Sequence, residues 1–515
     1  MKAGRPRRAL TAVAAGMLAA LVLPTAAAGS SPAASGSEPR YRATSFDPVV
    51  EALDYSNNLE RQSVYLAPDY QLKLRLVGQQ NFLAAVQMAV NDPQREFLSD
   101  LCWNGYDACA GDVRLYDWQT QGYGIVRPFL FTARNGAQIS GHVWATRSGP
   151  AKRPGVVITN GSVQATEQLY WFAAQALAKA GYVVMTFDPQ GQGQSDSLGQ
   201  GADRTEGFPA QTDGRPFYDG TEDAINFFLS TPSHRYVPVR SCATGTSHAD
   251  YQNARVKAGF DAAYNPFWRL LNRHEVGVAG HSYGAGGVSY VGQADKRVKA
   301  IVAWDNLGKP EAGGREKGCV DKAARAPAKL RAPALGMSAD YGLPPTPHTS
   351  LPGYDDKTKE SLVYSKHHVD TGEIVVRGGS HLDFSFIPNP AFGASLYGTD
   401  MVAWYTVAWF DYYLKHDASA YRRLVTTRWQ HDGQEAQIDA FGDPNMFSFY
   451  YHSRLDIRTP GGGRFRCETL RRGCAGMTAH DGYRGLWRYV NVDTTKDGPA
   501  THPVPKGTGL YLTTS

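Results

Sequence analysis

A serine between glycines is the residue of this chain whose surroundings most clearly point to chemistry. Residues 280–284 read Gly-His-Ser-Tyr-Gly, directly after the apolar run Val276–Ala279 and before a segment of small residues typical of a helix. G-x-S-x-G between a strand and a helix is the pattern of a nucleophile elbow, in which a sharp turn holds the serine hydroxyl above a sheet. The glycines let strand and helix approach closely. The sequence therefore predicts that Ser282 is a nucleophile.

A serine hydroxyl is a weak nucleophile and needs a base that removes its proton. His381 is the best candidate because it follows the apolar run Ile374–Val376 and two glycines that allow a sharp exit from a strand. His348, His367 and His368 also lie downstream of the elbow, but none of them follows a comparable strand. We therefore predict that His381 is the general base.

The base in turn needs a carboxylate that orients it. Asp340 follows the β-rich run 334–338 and Asp305 follows the run 298–304, so each lies at the end of a predicted strand. We predict Asp340 as the acid, because its strand is the one immediately before His381, and keep Asp305 as the alternative. The aspartate that does not orient the base is expected to cap a loop through its own backbone.

Acyl transfer also needs two backbone N–H groups that hold the developing oxyanion. One is expected from Tyr283, the residue after the nucleophile. The second is expected from the loop after the buried strand 155–160, in which Gly161 permits a tight turn. We predict the Ser162 N–H as this donor, with Val163 as the next choice.

A further glycine-rich segment, residues 191–196, partly matches a dinucleotide-binding fingerprint, but Asp196 stands where the third glycine is required. The sequence contains neither a Walker phosphate-binding motif nor the H-E-x-x-H pattern of zinc proteases. We therefore expect no cofactor and no metal ion.

The N-terminus has the pattern of a secretory signal peptide. A basic head precedes the apolar stretch Ala9–Leu23, and three alanines end at Ala28. This stretch is short for a bilayer span, so we expect residues 1–28 to be removed, residues 29–44 to be flexible, and the mature protein to be secreted without a stable membrane span. The formal charge of +5 then falls to about +1, and no basic patch predicts a nucleic-acid partner.

Six cysteines in an exported chain predict disulfide bonds. In each of two cysteine pairs, the two residues are seven positions apart and lie in loop-rich surroundings. We predict these two local bridges and a third between the remaining cysteines: Cys102–Cys109, Cys467–Cys474 and Cys242–Cys319. A metal site is the alternative, but the C-x-x-C spacing and clustered histidines that it requires are not present in the sequence.

The rest of the sequence predicts the elements that must position these residues. Residues 45–119 favour helices, with Asp47-Pro48 as the first helix start. From residue 120, two strands around the Asn135-Gly136 turn precede alternating strands and helices, which describes an α/β protein with a mostly parallel sheet covered on both faces. The predicted organisation is a helical N-terminal segment (45–119), a catalytic domain (120–416) with a lid-like insertion over the carboxyl end of the sheet (231–273), and a C-terminal extension (417–515) that forms an appendage with one clear strand, Phe447–Leu455.

Taken as a set, these motifs resemble the α/β-hydrolase superfamily. Residues 188–195, Asp-Pro-Gln-Gly-Gln-Gly-Gln-Ser, are similar to the D-x-R-G-x-G-x-S loop of that superfamily, with Gln190 where arginine is commoner. Asn160 stands where many members carry histidine. The G-H-S-x-G elbow, the signal peptide and the disulfides are similar to those of secreted actinobacterial serine esterases, lipases and polyester hydrolases. The resemblance implies the α/β-hydrolase fold for about residues 120–416.

The sequence as a whole predicts an exported serine hydrolase that cleaves a small-molecule or lipid-like carboxylic ester through an acyl-enzyme. Two alternatives stay open: a peptidase or amidase on the same fold, and a non-catalytic binding protein that has kept the fold. A halide- or peroxide-dependent oxidation with the same three residues is a more remote possibility. The sequence does not specify an oligomeric state.

Overall fold

The computed structural model of this protein describes residues 45–61, 68–95, 110–111, 124–162, 166–210, 214–309, 328–386, 396–432, 435–439 and 442–479. Several sequence-based expectations lie outside these residues. They are the signal peptide (1–28), the flexible segment (29–44), most of residues 96–119, Val163, and the cysteines Cys102, Cys109 and Cys319.

The described residues form one ten-stranded mixed sheet with the strand order β1-β2-β4-β3-β5-β6-β7-β8-β9-β10. Strands β3 to β8 run parallel in the middle of the sheet, and antiparallel pairs form its two edges. This confirms the predicted α/β class and the mostly parallel sheet. The strands are β1 (Gly124–Thr132), β2 (Gln138–Thr146), β3 (Arg153–Thr159), β4 (Val183–Phe187), β5 (Leu271–His281), β6 (Val298–Trp304), β7 (Ala334–Ala339), β8 (Thr371–Val376), β9 (Arg454–Arg458) and β10 (Arg464–Cys467).

Helices cover both faces of the sheet. In β3, Val156 and Ile158 belong to one apolar core, whereas Val157 belongs to the other, because successive strand residues point to opposite faces. Helices α3 and α8 pack in the first core, and α4 and α6 pack in the second. The helices are α1 (Pro48–Arg61), α2 (Pro68–Asn91), α3 (Trp171–Lys179), α4 (Arg215–Phe228), α5 (Ala249–Ala258), α6 (Tyr283–Ala294), α7 (Lys359–Lys366), α8 (Leu396–Leu414), α9 (Ala420–Leu424) and α10 (Glu435–Ile438).

Two local signals in the sequence have the predicted effect. The turn between β1 and β2 falls at Asn135-Gly136, where Gly136 adopts a φ of 90° that a side chain would disfavour. Helix α1 begins at Pro48, and the Asp47 carboxylate caps it by accepting a hydrogen bond from the Val49 N–H at 2.9 Å. None of the helices in the described part of the chain combines the length and apolar character needed to cross a bilayer.

The insertion 231–273 contacts one edge of the sheet. The Ala262 N–H donates to the Leu130 carbonyl at 2.8 Å, and the Tyr236 hydroxyl donates to the Thr132 carbonyl at 2.9 Å. Both acceptors belong to β1, the outermost strand on that side of the sheet. The insertion thus covers the outer edge of β1 near the carboxyl end of that strand, and its expected function as a lid stays a prediction.

The C-terminal extension is part of the sheet and not an appendage. Strand β9 pairs with β8, with Thr371 opposite Asp456, and β10 pairs with β9. The predicted strand Phe447–Leu455 is wrong in position, since the strand begins only at Arg454. Leu455 and Ile457 are fully buried and belong to the same core as α3 and α8. The edge hairpin thus completes both the sheet and one of its cores.

A disulfide closes the end of this hairpin. Cys467, the last residue of β10, is bonded to Cys474 with an S–S distance of 2.05 Å, which confirms this predicted bridge. Cys242 is also disulfide-bonded, to a cysteine outside the described residues. The described cysteines therefore contain no free thiol.

Candidate active site

Ser282 lies on the sharp turn that joins β5 to α6. It is the one residue between the strand and the helix, and its backbone has a φ of 56° and a ψ of −119°. A positive φ is strained for a residue with a side chain and persists only where the surroundings enforce it. Here the Ser282 N–H donates to the Trp304 carbonyl at 2.9 Å, and the Ser282 carbonyl accepts from the Gly286 N–H at 3.1 Å. The predicted strand–turn–helix setting of the elbow is confirmed.

The glycines on either side of the turn are required by close backbone contacts. A Cβ at Gly280 would lie 2.4 Å from the Gly284 carbonyl oxygen. A Cβ at Gly284 would lie 2.4 Å from the carbonyl oxygens of Thr159 and Asn160 at the end of β3. Any side chain at these positions would push α6 away from the sheet and move Ser282 with it.

His381 follows β8 and opens a single turn of 3₁₀-helix, His381–Phe384. Ser380 caps this turn: its hydroxyl accepts from the Leu382 N–H at 3.2 Å, and its own N–H donates to the Asp383 carboxylate at 2.8 Å. The two reciprocal bonds form a capping box that fixes the backbone of His381. The imidazole remains partly accessible, with a side-chain exposure of 16%.

The acid that contacts His381 is Asp305, the alternative in the sequence analysis. His381 Nδ1 lies 2.5 Å from Asp305 Oδ2. Asp305 directly follows β6, and its N–H donates to the Met337 carbonyl at 2.7 Å. Burial alone would raise the pKa of the Asp305 carboxyl, but the hydrogen bond and charge of His381 outweigh it and lower that pKa. The pair therefore joins an ionised carboxylate to an oriented imidazole.

The preferred acid, Asp340, has different partners. Its Oδ2 accepts a hydrogen bond from the Gly378 N–H at 2.8 Å, and the Tyr341 N–H next to it donates to the Gly379 carbonyl at 3.0 Å. The loop after β8 thus passes over the end of β7 and delivers His381 to β6, the direct neighbour of the elbow strand β5. Chain order favoured Asp340, but strand order in space pairs Asp305 with His381 and leaves Asp340 to hold the loop.

The loop after β3 lies against Ser282. A Cβ built on Gly161 would be 3.0 Å from Ser282 Cβ. The Gly161 N–H is occupied, because it donates to the Tyr170 hydroxyl at 2.9 Å. Ser162 is the next residue, and Tyr283 begins α6 with its ring stacked on Phe217 at a centroid distance of 5.3 Å. Gly161, the residue before the predicted donor Ser162, therefore lies against Ser282, and the other predicted donor, Tyr283, follows Ser282 directly in the chain.

The loop 188–195 contacts the residue before Gly161 and helps to position the loop after β3. Asp188 Oδ1 accepts from Asn160 Nδ2 at 3.2 Å and from the Glu167 N–H at 2.6 Å, and Oδ2 accepts from the Gln194 N–H at 2.8 Å. A Cβ at Gly193 would lie 2.3 Å from the Asp188 carboxylate. Burial, together with the charge of Glu167, raises the pKa of Asp188 to about 8. Asp188 therefore fixes Asn160, the residue directly before Gly161.

Two polar side chains near the nucleophile were missed by the sequence analysis. Tyr170 Oη lies 2.8 Å from His281 Nδ1, and His281 Nε2 lies 3.0 Å from the His381 carbonyl oxygen. The imidazoles of His281 and His381 are 4.4 Å apart between centroids. His281 had one signal in the sequence, a polar residue at the end of an apolar strand. Tyr170 had none, since nothing in its spacing distinguishes it from a core aromatic residue.

The described residues contain no group of three or more histidine, cysteine or acidic side chains arranged to hold a metal ion. The chain matches no protein-family model, and no curated protein sequence matches it significantly. The geometry of the elbow, of His381 with Asp305 and of the Gly161 loop therefore carries the functional argument.

Proposed function

We propose that this protein is a serine hydrolase of the α/β-hydrolase superfamily that cleaves carboxylic esters through an acyl-enzyme. The contact between His381 Nδ1 and Asp305 Oδ2, at 2.5 Å, supports this most directly. A buried carboxylate bonded to one ring nitrogen fixes the imidazole so that its other nitrogen is available as a base. Ser282 on its strained turn supplies the nucleophile. Its N–H donates to the carbonyl of Trp304, the residue before Asp305, so the same strand end positions both the serine and the acid.

In the proposed reaction, Ser282 Oγ attacks the acyl carbon of the ester while His381 takes the hydroxyl proton. The negative charge moves to the former carbonyl oxygen, which the N–H groups of Tyr283 and Ser162 hold. When the tetrahedral intermediate collapses, the C–O bond to the alcohol breaks and His381 returns the proton to that oxygen. Water then repeats the sequence on the acyl-enzyme and releases the acid.

Asp305 contributes by orienting the imidazole and by stabilising the positive charge that His381 carries in each half-reaction. The lowered pKa of Asp305 suits this role, because the carboxylate stays ionised across the neutral pH range. Esters are the expected substrates because the C–O bond of an ester breaks more readily than the C–N bond of an amide, whose nitrogen needs a proton before it leaves.

The proposal includes export of the protein. The sequence pattern of residues 1–28 is that of a signal peptide, and disulfide bonds at Cys467–Cys474 and Cys242 are typical of proteins that fold in oxidising compartments. A secreted hydrolase of this kind acts on ester substrates outside the cell.

A fluorophosphonate probe tests the proposal, because such probes react only with an activated serine. We expect one adduct on the wild-type protein, located at Ser282 by peptide mass spectrometry, and none on the Ser282→Ala variant. The His381→Ala variant should react at least a thousandfold more slowly, in proportion to the loss expected for a missing base. A folded wild-type protein that forms no adduct at Ser282 would contradict the proposal and favour a binding function. Matched ester and amide substrates then separate an esterase from an amidase.

A further inference from the structure

A continuous line of hydrogen bonds connects the two loops that flank Ser282. It begins at the Gly161 N–H, passes through the Tyr170 hydroxyl at 2.9 Å and His281 Nδ1 at 2.8 Å, and continues from His281 Nε2 to the His381 carbonyl at 3.0 Å. Tyr170 and His281 are almost completely buried, with exposures of 0% and 3%. Solvent therefore does not compete for these bonds.

The chemistry of the end groups fixes the direction of every bond in the line. A backbone carbonyl can only accept, so His281 Nε2 must carry a proton and donate to the His381 oxygen. Burial, and the adjacent His381, lower the pKa of His281 well below its ordinary value, so its ring is neutral and carries only that proton. Nδ1 is then an acceptor and takes the proton of the Tyr170 hydroxyl. The hydroxyl oxygen accepts from the Gly161 N–H.

We infer that Tyr170 and His281 form a positioning relay, in which a neutral Nε2–H imidazole holds the oxyanion loop at Gly161 and the catalytic loop at His381 in one fixed geometry about Ser282. The inference rests on the proposed function of Ser282 and His381 and adds two residues to that site. Neither residue touches the substrate or the reacting atoms, so both act through the loops that they hold.

The relay also explains why His281, the residue directly before Ser282, must stay neutral. The His281 and His381 rings are 4.4 Å apart, and His381 becomes an imidazolium whenever it takes the proton of Ser282. A second cation at that distance would oppose the proton transfer. By accepting the Tyr170 hydrogen at Nδ1, the His281 ring satisfies both nitrogens without a charge. The Ser385 side chain contacts the same hydroxyl and adds a further partner to it.

The Tyr170→Phe variant tests the relay at the end that holds Gly161. It removes one hydroxyl and no ring carbon, so the aromatic packing stays. We expect kcat on an ester substrate to fall by on the order of 10- to 100-fold while KM changes less than threefold, because a misplaced oxyanion loop affects the transition state more than substrate binding. The matched control is Tyr236→Phe, whose buried hydroxyl donates to the Thr132 carbonyl at 2.9 Å, away from the elbow. Equal kinetic effects in the two variants would overturn the relay.

Two variants of His281 divide the relay into its halves. His281→Asn places an amide oxygen near the Nδ1 position and keeps an acceptor for Tyr170. His281→Gln places an amide N–H near the Nε2 position and keeps a donor for His381. The relay predicts different effects of Tyr170→Phe in the two backgrounds. In His281→Gln the bond to the Tyr170 hydroxyl is already lost, so adding Tyr170→Phe should lower kcat little further. In His281→Asn that bond is kept, so adding Tyr170→Phe should lower kcat by as much as it does in the wild-type protein. Fully additive losses in the His281→Gln background would contradict it.

A spectroscopic readout separates this inference from the proposed function. In protein labelled with ¹⁵N-histidine, the signals missing from His281→Gln identify the His281 ring. We expect a neutral ring protonated at Nε2 from pH 5.5 to 8, with a shifted Nδ1 resonance in Tyr170→Phe. A ring that carries its proton at Nδ1, or that titrates in this range, would overturn the relay whatever the activity. If the wild-type protein takes up no fluorophosphonate, the proposed function fails and this readout alone decides the relay.

Discussion

Two buried aspartates at neighbouring strand ends have opposite electrostatic surroundings. The hydrogen bond and charge of His381 outweigh burial and lower the pKa of Asp305. Asp340 has no cation in hydrogen-bond contact among the described residues, and burial together with the charge of Asp54 raises its pKa to about 6. Asp305 can therefore compensate an imidazolium at any neutral pH, whereas Asp340 exchanges its proton near neutrality and is suited to holding a loop.

Substituting each aspartate with asparagine tests this division of roles. Asp305→Asn should lower kcat by about 10⁴-fold, because an amide favours the wrong tautomer of His381 and cannot stabilise its charge. Asp340→Asn should keep kcat within a few-fold of wild type, since an amide oxygen can still accept from the Gly378 N–H. The measurement is steady-state hydrolysis of a chromogenic ester together with the rate of fluorophosphonate labelling. A larger loss in Asp340→Asn than in Asp305→Asn would restore the assignment made from chain order.

Glu373, on β8, is another buried carboxyl, and it makes the free energy of unfolding depend on pH. Its Oε1 accepts from the Ser338 hydroxyl at 2.5 Å, and burial, reinforced by the charge of Asp305, raises its pKa to about 8. The folded protein thus holds a proton that the unfolded chain loses near pH 4.5, so stability falls as pH rises from about 4.5 to about 8. The effect is several kcal/mol at ~1.4 kcal/mol per pKa unit.

The Glu373→Gln variant removes this titration and should be more stable than wild type at pH 8.5, with little difference at pH 4.5. Urea unfolding at both pH values measures the change. Asp456→Asn is the comparison variant, because the pKa of Asp456 is shifted in the opposite direction to that of Glu373. Burial raises the pKa of the Asp456 carboxyl, but its contacts with Arg464 and Arg466 outweigh burial and lower that pKa. A wild-type protein whose stability relative to Glu373→Gln does not change with pH would show that this carboxyl is ionised in the fold.

At the scale of elements, the docking of α1 depends on a histidine. The Glu51 carboxylate on α1 accepts from the His348 N–H at 2.6 Å and lies 3.1 Å from His348 Nδ1. Burial opposes protonation of His348, but the hydrogen bond to Glu51 and the charges of Asp340 and Glu51 raise its pKa overall. The same contact lowers the pKa of Glu51 against the effect of burial. Both shifts mean that α1 docks best with His348 charged and Glu51 ionised.

We therefore expect the docking of α1 to weaken as pH rises from 6 to 8.5. The raised pKa of His348 gives a stabilisation that is complete below its unfolded pKa and lost as pH rises through its folded pKa. Hydrogen exchange of the peptide that contains Glu51, corrected for intrinsic rates, should show an opening equilibrium about three- to tenfold larger at pH 8.5. His348→Gln should remove most of this dependence, while His416→Gln, at an exposed site, should keep it. An equal response in both variants would place the titration elsewhere.

The elements that were predicted well are those whose local pattern is unambiguous. The strand 298–304 is reproduced residue for residue, and the turn at Asn135-Gly136 and the start of α1 at Pro48 follow from the conformational limits of glycine and proline. The predicted strand Phe447–Leu455 was wrong in position because Phe447 fills a core and forms only an isolated bridge with Val376, so that continuous strand pairing begins at Arg454. The contact of the insertion 231–273 with β1 was not predicted, because no local pattern states which strand of a sheet a segment will cover.

For the candidate site, the sequence selected Ser282 and His381 because each stands at the end of an apolar run with glycines beside it. It did not favour the aspartate that contacts His381, since Asp305 and Asp340 both end strands and differ in which of the two strands neighbours β5. That order is a property of the folded sheet. The contact of Tyr170 with the elbow, across a sequence separation of 111 residues from His281, is of the same kind.

At the scale of the whole molecule, the sheet is continuous from the N-terminal hairpin to the C-terminal one. Strand β9 satisfies the edge of β8, the strand that leads to His381. Arg454, at its start, is almost fully buried and donates to Ser361 Oγ at 2.7 Å. The bridge Cys467–Cys474 ties the end of the hairpin to the loop that follows. The described residues between 417 and 479 are thus part of the body that holds the candidate site.

A chain that ends at residue 416 should therefore not fold. It would leave the edge of β8 unpaired and remove from the core the side chains of Leu455, Ile457, Phe465 and Leu470. Burying each such side chain contributes about 1.5–3 kcal/mol, and their sum is comparable to the whole stability of a typical domain. Solubility, the thermal unfolding transition and fluorophosphonate labelling would be compared with those of the full mature chain. A soluble, labelled product ending at 416 would re-establish the extension as a separate appendage.

Arg377, in the loop that leads to His381, joins parts of the chain made at very different times. Its guanidinium binds Asp54 of α1 at 2.8 Å and Asp439, which follows α10, and all three side chains are fully buried. Helix α1 is synthesised before Arg377 and Asp439, so the buried cluster that Asp54 joins is complete only when Asp439 has emerged from the ribosome. Arg377, the partner of Asp54, emerges before Asp439, so until Asp439 is made the guanidinium lacks one of the carboxylates that compensate its burial. A chain that stops before Asp439 would therefore bury the Arg377 guanidinium with incomplete charge compensation, and the contact between α1 and the loop before His381 would be weaker.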